Sequence, residues 1–469
     1  MKLHVFGGGQ SVGCSCFVVE GREDAVVLDC GYNHVRSDIG IDFEKMNLLA
    51  PKIRCCCITH YHVDHVGMLP WLCKFLSIPI FMAQPTLSVL PMILSDTHSS
   101  SSFILPSDIE KCVNQCSVIQ PGQSIRITKN VSLRCFYAGH ALGAVCFEIL
   151  FDGKTIVYTG DIDNQESFLI RSAEITPHSI NYLISESTCI YERIKKRFDI
   201  ERYERPIVDT IQAGGSVQII SNSAGRGQEI FGILYHIIEK YKFDIPVCGS
   251  GGVLTNLAQK YAEWKTWLRP EITTEVSKFR EIELLSHQTQ FIVVTTPANL
   301  GQGQSKEVFE RIRASENNLL ILPSYVTFNK KDLTPKLRKC KVVQIEENNH
   351  YDGNGIQSLI RALTPNEVVL VHGDEEKMKK AKVFFEQLFR MPFYLPANGD
   401  VVTLGLAPSQ SKKSTQSSKR CEPKLPPSEK EYLHDIGNKA PHKGSYNTRN
   451  TNTPSRGLPI TKAKTLEPL

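Results

Sequence analysis

The sequence predicts an α/β fold with a second α/β segment inserted into it, and three observations carry that expectation. Short β-branched runs alternate with Gly-, Asp- and Asn-rich turns through the first 190 residues. Helical periodicity appears between those runs. From about Tyr191 the pattern becomes a regular strand-then-helix alternation. The expected organisation is a first domain over 1–190, an inserted domain over 191–343, a return to the first domain over 344–405, and a basic low-complexity tail over 406–469.

In the first segment, strands are expected at 26–28, 53–58, 131–136, 146–151, 156–159 and 182–184, with helices at 68–76 and 86–94. Each of these runs stops at a polar or ionisable residue, which suits a layered hydrolase with its chemistry at one sheet edge. Further on, strands are expected at 217–220, 291–294, 319–322 and 368–371, and helices at 225–241, 307–314, 357–363 and 378–389. Beyond Gly405 the composition turns to Ser, Lys, Pro, Asn and Thr. Such a segment cannot offset its ordering entropy by burial, so disorder is expected there.

Hydrophobic residues make up 41% of the chain and charged residues 22%, as in an ordinary globular protein. The opening MKLHVFGGGQSVG has no apolar stretch of signal-peptide length, and no run of about 18 uncharged apolar residues occurs. Neither secretion nor a membrane span is expected. The 15 cysteines are scattered, Cys55, Cys56 and Cys57 being adjacent, and none forms a CxxC pair. That argues against a zinc ribbon and for free thiols in a reducing compartment. The net charge of +5 is uneven: 12 basic against 5 acidic residues from Leu406 onward, and 42 against 44 before it. A near-neutral body carries a basic tail, so any nucleic-acid channel on the body must be a local patch.

The segment His60-Tyr61-His62-Val63-Asp64-His65 places three imidazoles and a carboxylate within six residues, just after an apolar run. Zinc is bound by such N and O donors. Donors this close cannot all reach one ion from a strand or a helix. A loop is expected to turn His60 and His62 toward one metal, and Asp64 and His65 toward a second. Asp29, His140, Asp161 and His372 each follow another expected strand. Alone, each is more simply a turn former or a structural histidine; four strand ends with metal-compatible donors are harder to dismiss.

This order of motifs resembles the metallo-β-lactamase superfamily. Glu186 in Ser185-Glu186-Ser187-Thr188, His350, and His372 in Val371-His372-Gly373 resemble the three motifs added in its nucleic-acid-cutting β-CASP branch. Gly8-Gly9-Gln10-Ser11-Val12-Gly13, Leu28-Asp29-Cys30-Gly31 and Arg361-Ala362-Leu363 are similar to members of the cleavage-and-polyadenylation and Integrator types. The likeness runs from about Leu3 to Leu404. It implies an αββα sandwich with an inserted β-CASP α/β domain.

The resemblance also implies roles. One zinc ion would sit on His60, His62 and His140, a second on Asp64, His65 and His372, with Asp161 bridging and Asp29 orienting a ligand histidine. Two such ions about 3.5–4 Å apart supply a hydroxide nucleophile near neutral pH. Catalytic roles therefore fall on Asp29, Asp64, Glu186 and His350, with His350 as general acid paired to Glu186. The histidine at position 372 favours RNA over DNA. A zinc-dependent RNA endonuclease of RNA 3′-end processing is implied, nuclear, working with other subunits of a processing complex and with no membrane role.

Several positions depart from the family pattern. Cys189-Ile190 replace Tyr-Gly, Glu347-Asn348-Asn349 replace Phe-Ser-Ala, Pro297 lacks the Gly-Met expected after it, and Cys14 replaces Arg. Arg193, Lys195, Lys196, Arg197, Arg202 and Arg205 near Tyr191 and Tyr203 are candidates to meet RNA phosphates, as is Arg226 in Gly225-Arg226-Gly227-Gln228-Glu229. A solvated helix face and simple helix capping account for them equally well. Three alternatives stay open: an Integrator-type small nuclear RNA nuclease, a small-molecule hydrolase, and a noncatalytic β-CASP scaffold.

Overall fold

The structure, a computed structural model, describes residues 1–32, 40–191, 200–286, 288–323, 326 and 338–405. The tail expected to be disordered lies outside the described residues, as does the basic run 192–199.

The strands build two sheets that share one core, most of them buried at nearly every position. The first has seven strands in the order Val401–Thr403, Lys2–Gly7, Cys16–Glu20, Ala25–Leu28, Ile53–Cys57, Ile80–Met82 and Cys116–Val118. The second, also seven-stranded, runs Phe393–Tyr394, Glu367–Val371, Tyr182–Glu186, Lys154–Tyr158, Val145–Phe151, Val131–Tyr137 and Ser124–Arg126. Along Lys154–Tyr158, Ile156 and Tyr158 enter the core shared with the first sheet, whereas Val157 faces the opposite way with Leu183, Val368 and Leu370. Successive side chains of a strand point to opposite faces, so each sheet can bury both. The Phe17 and Tyr158 rings meet edge-on at 5.8 Å where the two sheets touch. The other face of the second sheet is covered by the helices Gly353–Leu363 and Glu375–Phe389 through Ile356, Ile360, Met378 and Phe385. This is the expected αββα sandwich.

A third sheet forms between residues 217 and 345, in the order Glu283–Leu284, Val247–Gly249, Ile292–Thr295, Val217–Ile220, Leu319–Pro323 and Lys341–Ile345. All its pairings are parallel. Its inner strands are buried and mostly apolar, with Gln218 and Thr295 as buried polar exceptions, as suits a sheet covered by helices on both faces. Val293, Leu320 and Leu322 pack with Val308 and Phe309 of the helix Gly303–Ile312. Ile219, Val294 and Ile321 join the main core with Ile230 and Leu234 of the helix Arg226–Tyr241.

Several helices begin earlier than periodicity places them, for one reason. The Asp374 side chain accepts from Lys377 N, and Asp352 accepts from Asn354 N and Gly355 N, so capped polar first turns precede the first apolar residue. The helix expected at 307–314 is Gly303–Ile312, again with a polar opening. All fourteen cysteines among the described residues are free thiols, thirteen of them buried. No helix among those residues is long and apolar enough to cross a membrane.

Candidate metal centre

Six chain segments, from strands of both seven-stranded sheets, bring ionisable side chains together at or just beyond the C-terminal end of a strand. Asp29 follows Ala25–Leu28, the His60 cluster follows Ile53–Cys57, and His140 follows Val131–Tyr137. Asp161 follows Lys154–Tyr158, His372 follows Glu367–Val371, and Glu186 ends its own strand. Asp29 (φ 55°) and His372 (φ 51°) hold the left-handed backbone that side chains other than glycine rarely adopt. Strain of this kind concentrates at functional sites.

His60 Nε2 and His140 Nε2 lie 2.9 and 3.1 Å from His62 Nδ1. Asp161 Oδ2 is 3.8 Å from His60 Nε2 and 3.5 Å from His140 Nε2. On the other side of the same carboxylate, Oδ1 is 3.3 Å from His65 Nε2 and 3.4 Å from His372 Nδ1. Asp64 Oδ2 completes that side, 3.2 Å from His372 Nε2 and 3.8 Å from His65 Nε2. The donors thus form one group of His60, His62, His140 and Asp161, and another of Asp64, His65 and His372. One detail corrects the expectation of a loop. Val63–Val66 is a single helical turn, begun when the amides of His65 and Val66 bond back to His62 O, so Asp64 and His65 ride on a helix.

A third group, Asp161 with Glu186 and His350, adjoins these two. His350 Nδ1 donates to Glu186 at 2.9 Å, and Glu186 Oε1 also accepts from Ile162 N at 2.7 Å. Burial pushes the His350 imidazole down, but the Glu186 and Asp161 carboxylates outweigh it and hold the group above its ordinary value. Burial and neighbouring imidazoles push His60 and His140 well below theirs, and burial brings His62 to about 4. These three are neutral imidazoles near pH 7, the form that binds metal. Asp161 ionises well below the usual carboxylate range: burial opposes this, but His372 and His65 outweigh it.

The donors fit metal ions on a further observation. His65 Nε2 and Asp161 Oδ1 are buried, face each other at 3.3 Å and form no aligned hydrogen bond. A buried polar atom left so costs free energy unless something else satisfies it. The orienting partners agree. His65 Nδ1 donates to Asp29 Oδ2 at 2.8 Å and His140 Nδ1 donates to Asn349 O at 2.8 Å, leaving both Nε2 atoms aimed into the cluster.

Residues 10–182 match the family model of the metallo-beta-lactamase superfamily, and residues 337–388 match that of the Zn-dependent metallo-hydrolase RNA specificity domain. Over residues 10–182 the chain is similar to the metallo-β-lactamase superfamily. Integrator complex subunit 11 of Gallus gallus is 29% identical over 448 residues, covering 87% of this chain and 75% of that protein. Cleavage and polyadenylation specificity factor subunit 3-II of Arabidopsis thaliana is 28% identical over 440 residues, covering 85% and 72%. An RNase J-like protein of Methanocaldococcus jannaschii is 27% identical over 432 residues, covering 86% and 99%. The metallo-β-lactamase match implies metal ions, and the His and Asp clusters are groups that could hold them.

The basic residues are placed differently from the metal donors. Arg226, half-buried at the start of its helix, donates through Nη2 to Asn349 Oδ1 at 2.5 Å. Arg202 and Arg205 are exposed on the helix Ile200–Gln212. Arg193, Lys195, Lys196 and Arg197 lie outside the described residues. Sequence reasoning missed Thr59 and Tyr158, whose hydroxyls donate to Asp29 at 2.9 and 2.7 Å, and Thr188, whose Oγ1 is 3.1 Å from His372 Nδ1. Their closeness in sequence to His60, Asp161 and Glu186 is the only hint they offered.

Proposed function

We propose that this metallo-β-lactamase protein is a metal-dependent endoribonuclease that uses two zinc ions to hydrolyse phosphodiesters in RNA 3′-end processing. The observation that carries the reading is Asp161, whose two oxygens face separate donor groups while the Glu186–His350 pair stands beside it, His350 Nδ1 3.9 Å from Asp161 Oδ2.

In this reading His60, His62, His140 and Asp161 would hold one ion, and Asp64, His65 and His372, with Asp161, would hold the other. Bound zinc supplies Lewis-acid stabilisation of phosphate charge and a nucleophile at neutral pH. The chain's own residues do the rest. Asp29 fixes the His65 tautomer. Glu186 accepts from His350 Nδ1, which stabilises the imidazolium and leaves its Nε2–H free to protonate the departing 3′ oxygen. Water oxygen bonds to phosphorus as the P–O3′ bond breaks, so the products are a 3′-hydroxyl and a 5′-phosphate. A positioned acid of this kind contributes about 10²–10⁴-fold.

RNA as substrate draws support from the RNA specificity domain matched at 337–388 and from the RNase J-like relative. The named relatives in Integrator and in the cleavage and polyadenylation factor support a nuclear role with partner subunits. A noncatalytic scaffold loses support because all seven metal donors and the acid pair are present.

Cleavage of labelled single-stranded RNA, and of DNA of the same sequence, by zinc-loaded wild type, Asp64→Ala and His350→Ala tests the proposal. RNA cutting should fall at least 100-fold in both variants. Equal cleavage in all three would sink the site assignment, and DNA-only cutting would sink the substrate.

A further inference from the structure

Asn349 lies between the metal centre and the inserted layer and touches both. It is 8% exposed. Its main-chain carbonyl accepts from His140 Nδ1 at 2.8 Å, and its side-chain Nδ2 donates to His140 O at 3.3 Å. Its Oδ1 accepts from Arg226 Nη2 at 2.5 Å. One residue therefore grips a candidate ligand histidine twice and is itself gripped by the first residue of the helix Arg226–Tyr241, which packs on the third sheet.

The same helix start closes on a second ligand candidate. Gly225 (φ +83°) lies so near His62 that a Cβ there would sit 3.2 Å from His62 Nε2. Gln228 caps this turn by accepting from Gly225 N at 2.8 Å. The next residue, Glu229, accepts from Ser167 Oγ at 2.6 Å and from Leu169 N at 2.9 Å, anchoring the helix to the segment that follows Asp161. The turn from Gly225 to Glu229 is thus fitted to the metal centre at three points, and only the Arg226–Asn349 contact reaches a ligand's orienting hydrogen bond.

We propose that Asn349 is a positioning residue that, held by Arg226, fixes the orientation and tautomer of His140 and so couples docking of the inserted layer to metal affinity. The inference rests on the metal reading given above. Orienting a ligand histidine through its second nitrogen determines which lone pair faces the ion, and loss of such partners typically costs 10–100-fold in metal affinity. Asn349 acts through His140 and needs no contact with substrate.

The test is cobalt(II) titration of the metal-free full chain, followed by its visible absorption and by competition with a chelator of known affinity. Wild type, Asn349→Ala, Arg226→Ala and the double variant are compared, with Asn349→Ser as the milder replacement where Asn349→Ala folds poorly. Each single variant keeps the Asn349 carbonyl that accepts from His140 Nδ1 but frees it to shift, so each should weaken one of the two ions by up to about 10-fold, alter the absorption of that ion, and leave the other within about twofold. The double variant should lose no more than the worse single one, because both residues act through one contact. Metal-free melting temperatures should stay within a few degrees of wild type. Unchanged affinities, losses that multiply in the double variant, or equal weakening of both ions with a lowered melting temperature would each overturn the coupling. If wild type takes up no cobalt, the metal reading itself fails and this inference falls with it, an outcome distinct from wild-type uptake with indifferent variants.

Discussion

The Asp29 carboxylate takes the Nδ1 proton of His65 across 2.8 Å, and it is fully buried while doing so. It also accepts from Thr59 N at 2.8 Å, Thr59 Oγ1 at 2.9 Å and the Tyr158 hydroxyl at 2.7 Å. Four donors around one carboxylate lock its rotamer, so His65 can present only Nε2 to the cluster.

Replacing Asp29 therefore reads out the worth of that lock. Asp29→Ala should weaken metal binding by about 10–100-fold. Asp29→Asn, which tolerates the φ of 55° and keeps an acceptor, should lose less. Calorimetric titration of the metal-free proteins with zinc measures both. Equal affinity in all three proteins would show that the lock does not tune the metal.

The Glu186–His350 pair sets a pH expectation. The Glu186 and Asp161 carboxylates, working against burial, raise His350 above its ordinary value, so the acid form persists to higher pH and activity should fall as pH rises through that value. Glu186→Gln removes one of the two charges that raise it. The alkaline limb of the rate profile should move toward lower pH. A limb that stays in place would remove Glu186 from this role.

Glu229 predicts a pH effect on stability away from the metal donors. Burial pushes its carboxyl up to about 7 although Ser167 and Leu169 donate to it. A carboxyl that titrates near 4.3 when unfolded binds its proton more tightly in the folded state, so its stabilising contribution is full at low pH and is lost as pH rises through about 7. Glu229→Gln cannot titrate. The stability of wild type relative to this variant should fall by on the order of 3 kcal/mol between pH 4 and pH 8, measured by urea unfolding of the metal-free proteins. A constant difference across that range would contradict the raised value.

Much of this architecture is legible in the sequence because strand ends advertise themselves. Apolar runs that stop at Asp29, His60, Asp161 and His372 locate both the sheets and the donors, and Val217–Ile220 coincides with its expected bounds. Helix starts are less legible, since capped polar turns such as Asp374-Glu375-Glu376 carry no apolar period. The helical turn Val63–Val66 was hidden for a related reason: one turn is too short to show periodicity. Beyond Asp29, the outer partners of the donors were much less legible. Thr59, Tyr158 and Asn349 are neutral residues of types found everywhere, and only folding brings Tyr158 to Asp29, 129 positions away in the chain, or Asn349 to His140, 209 away.

The central claim is a two-metal centre divided at Asp161, and counting metal per chain tests it most directly. Full-length wild type, Asp161→Ala and His372→Ala are reloaded with zinc, freed of loose ions, and analysed by mass spectrometry of metal against protein. Wild type should hold close to two equivalents, and each variant about one or fewer. Retention of two equivalents by both variants, or well under one by wild type, would contradict the account.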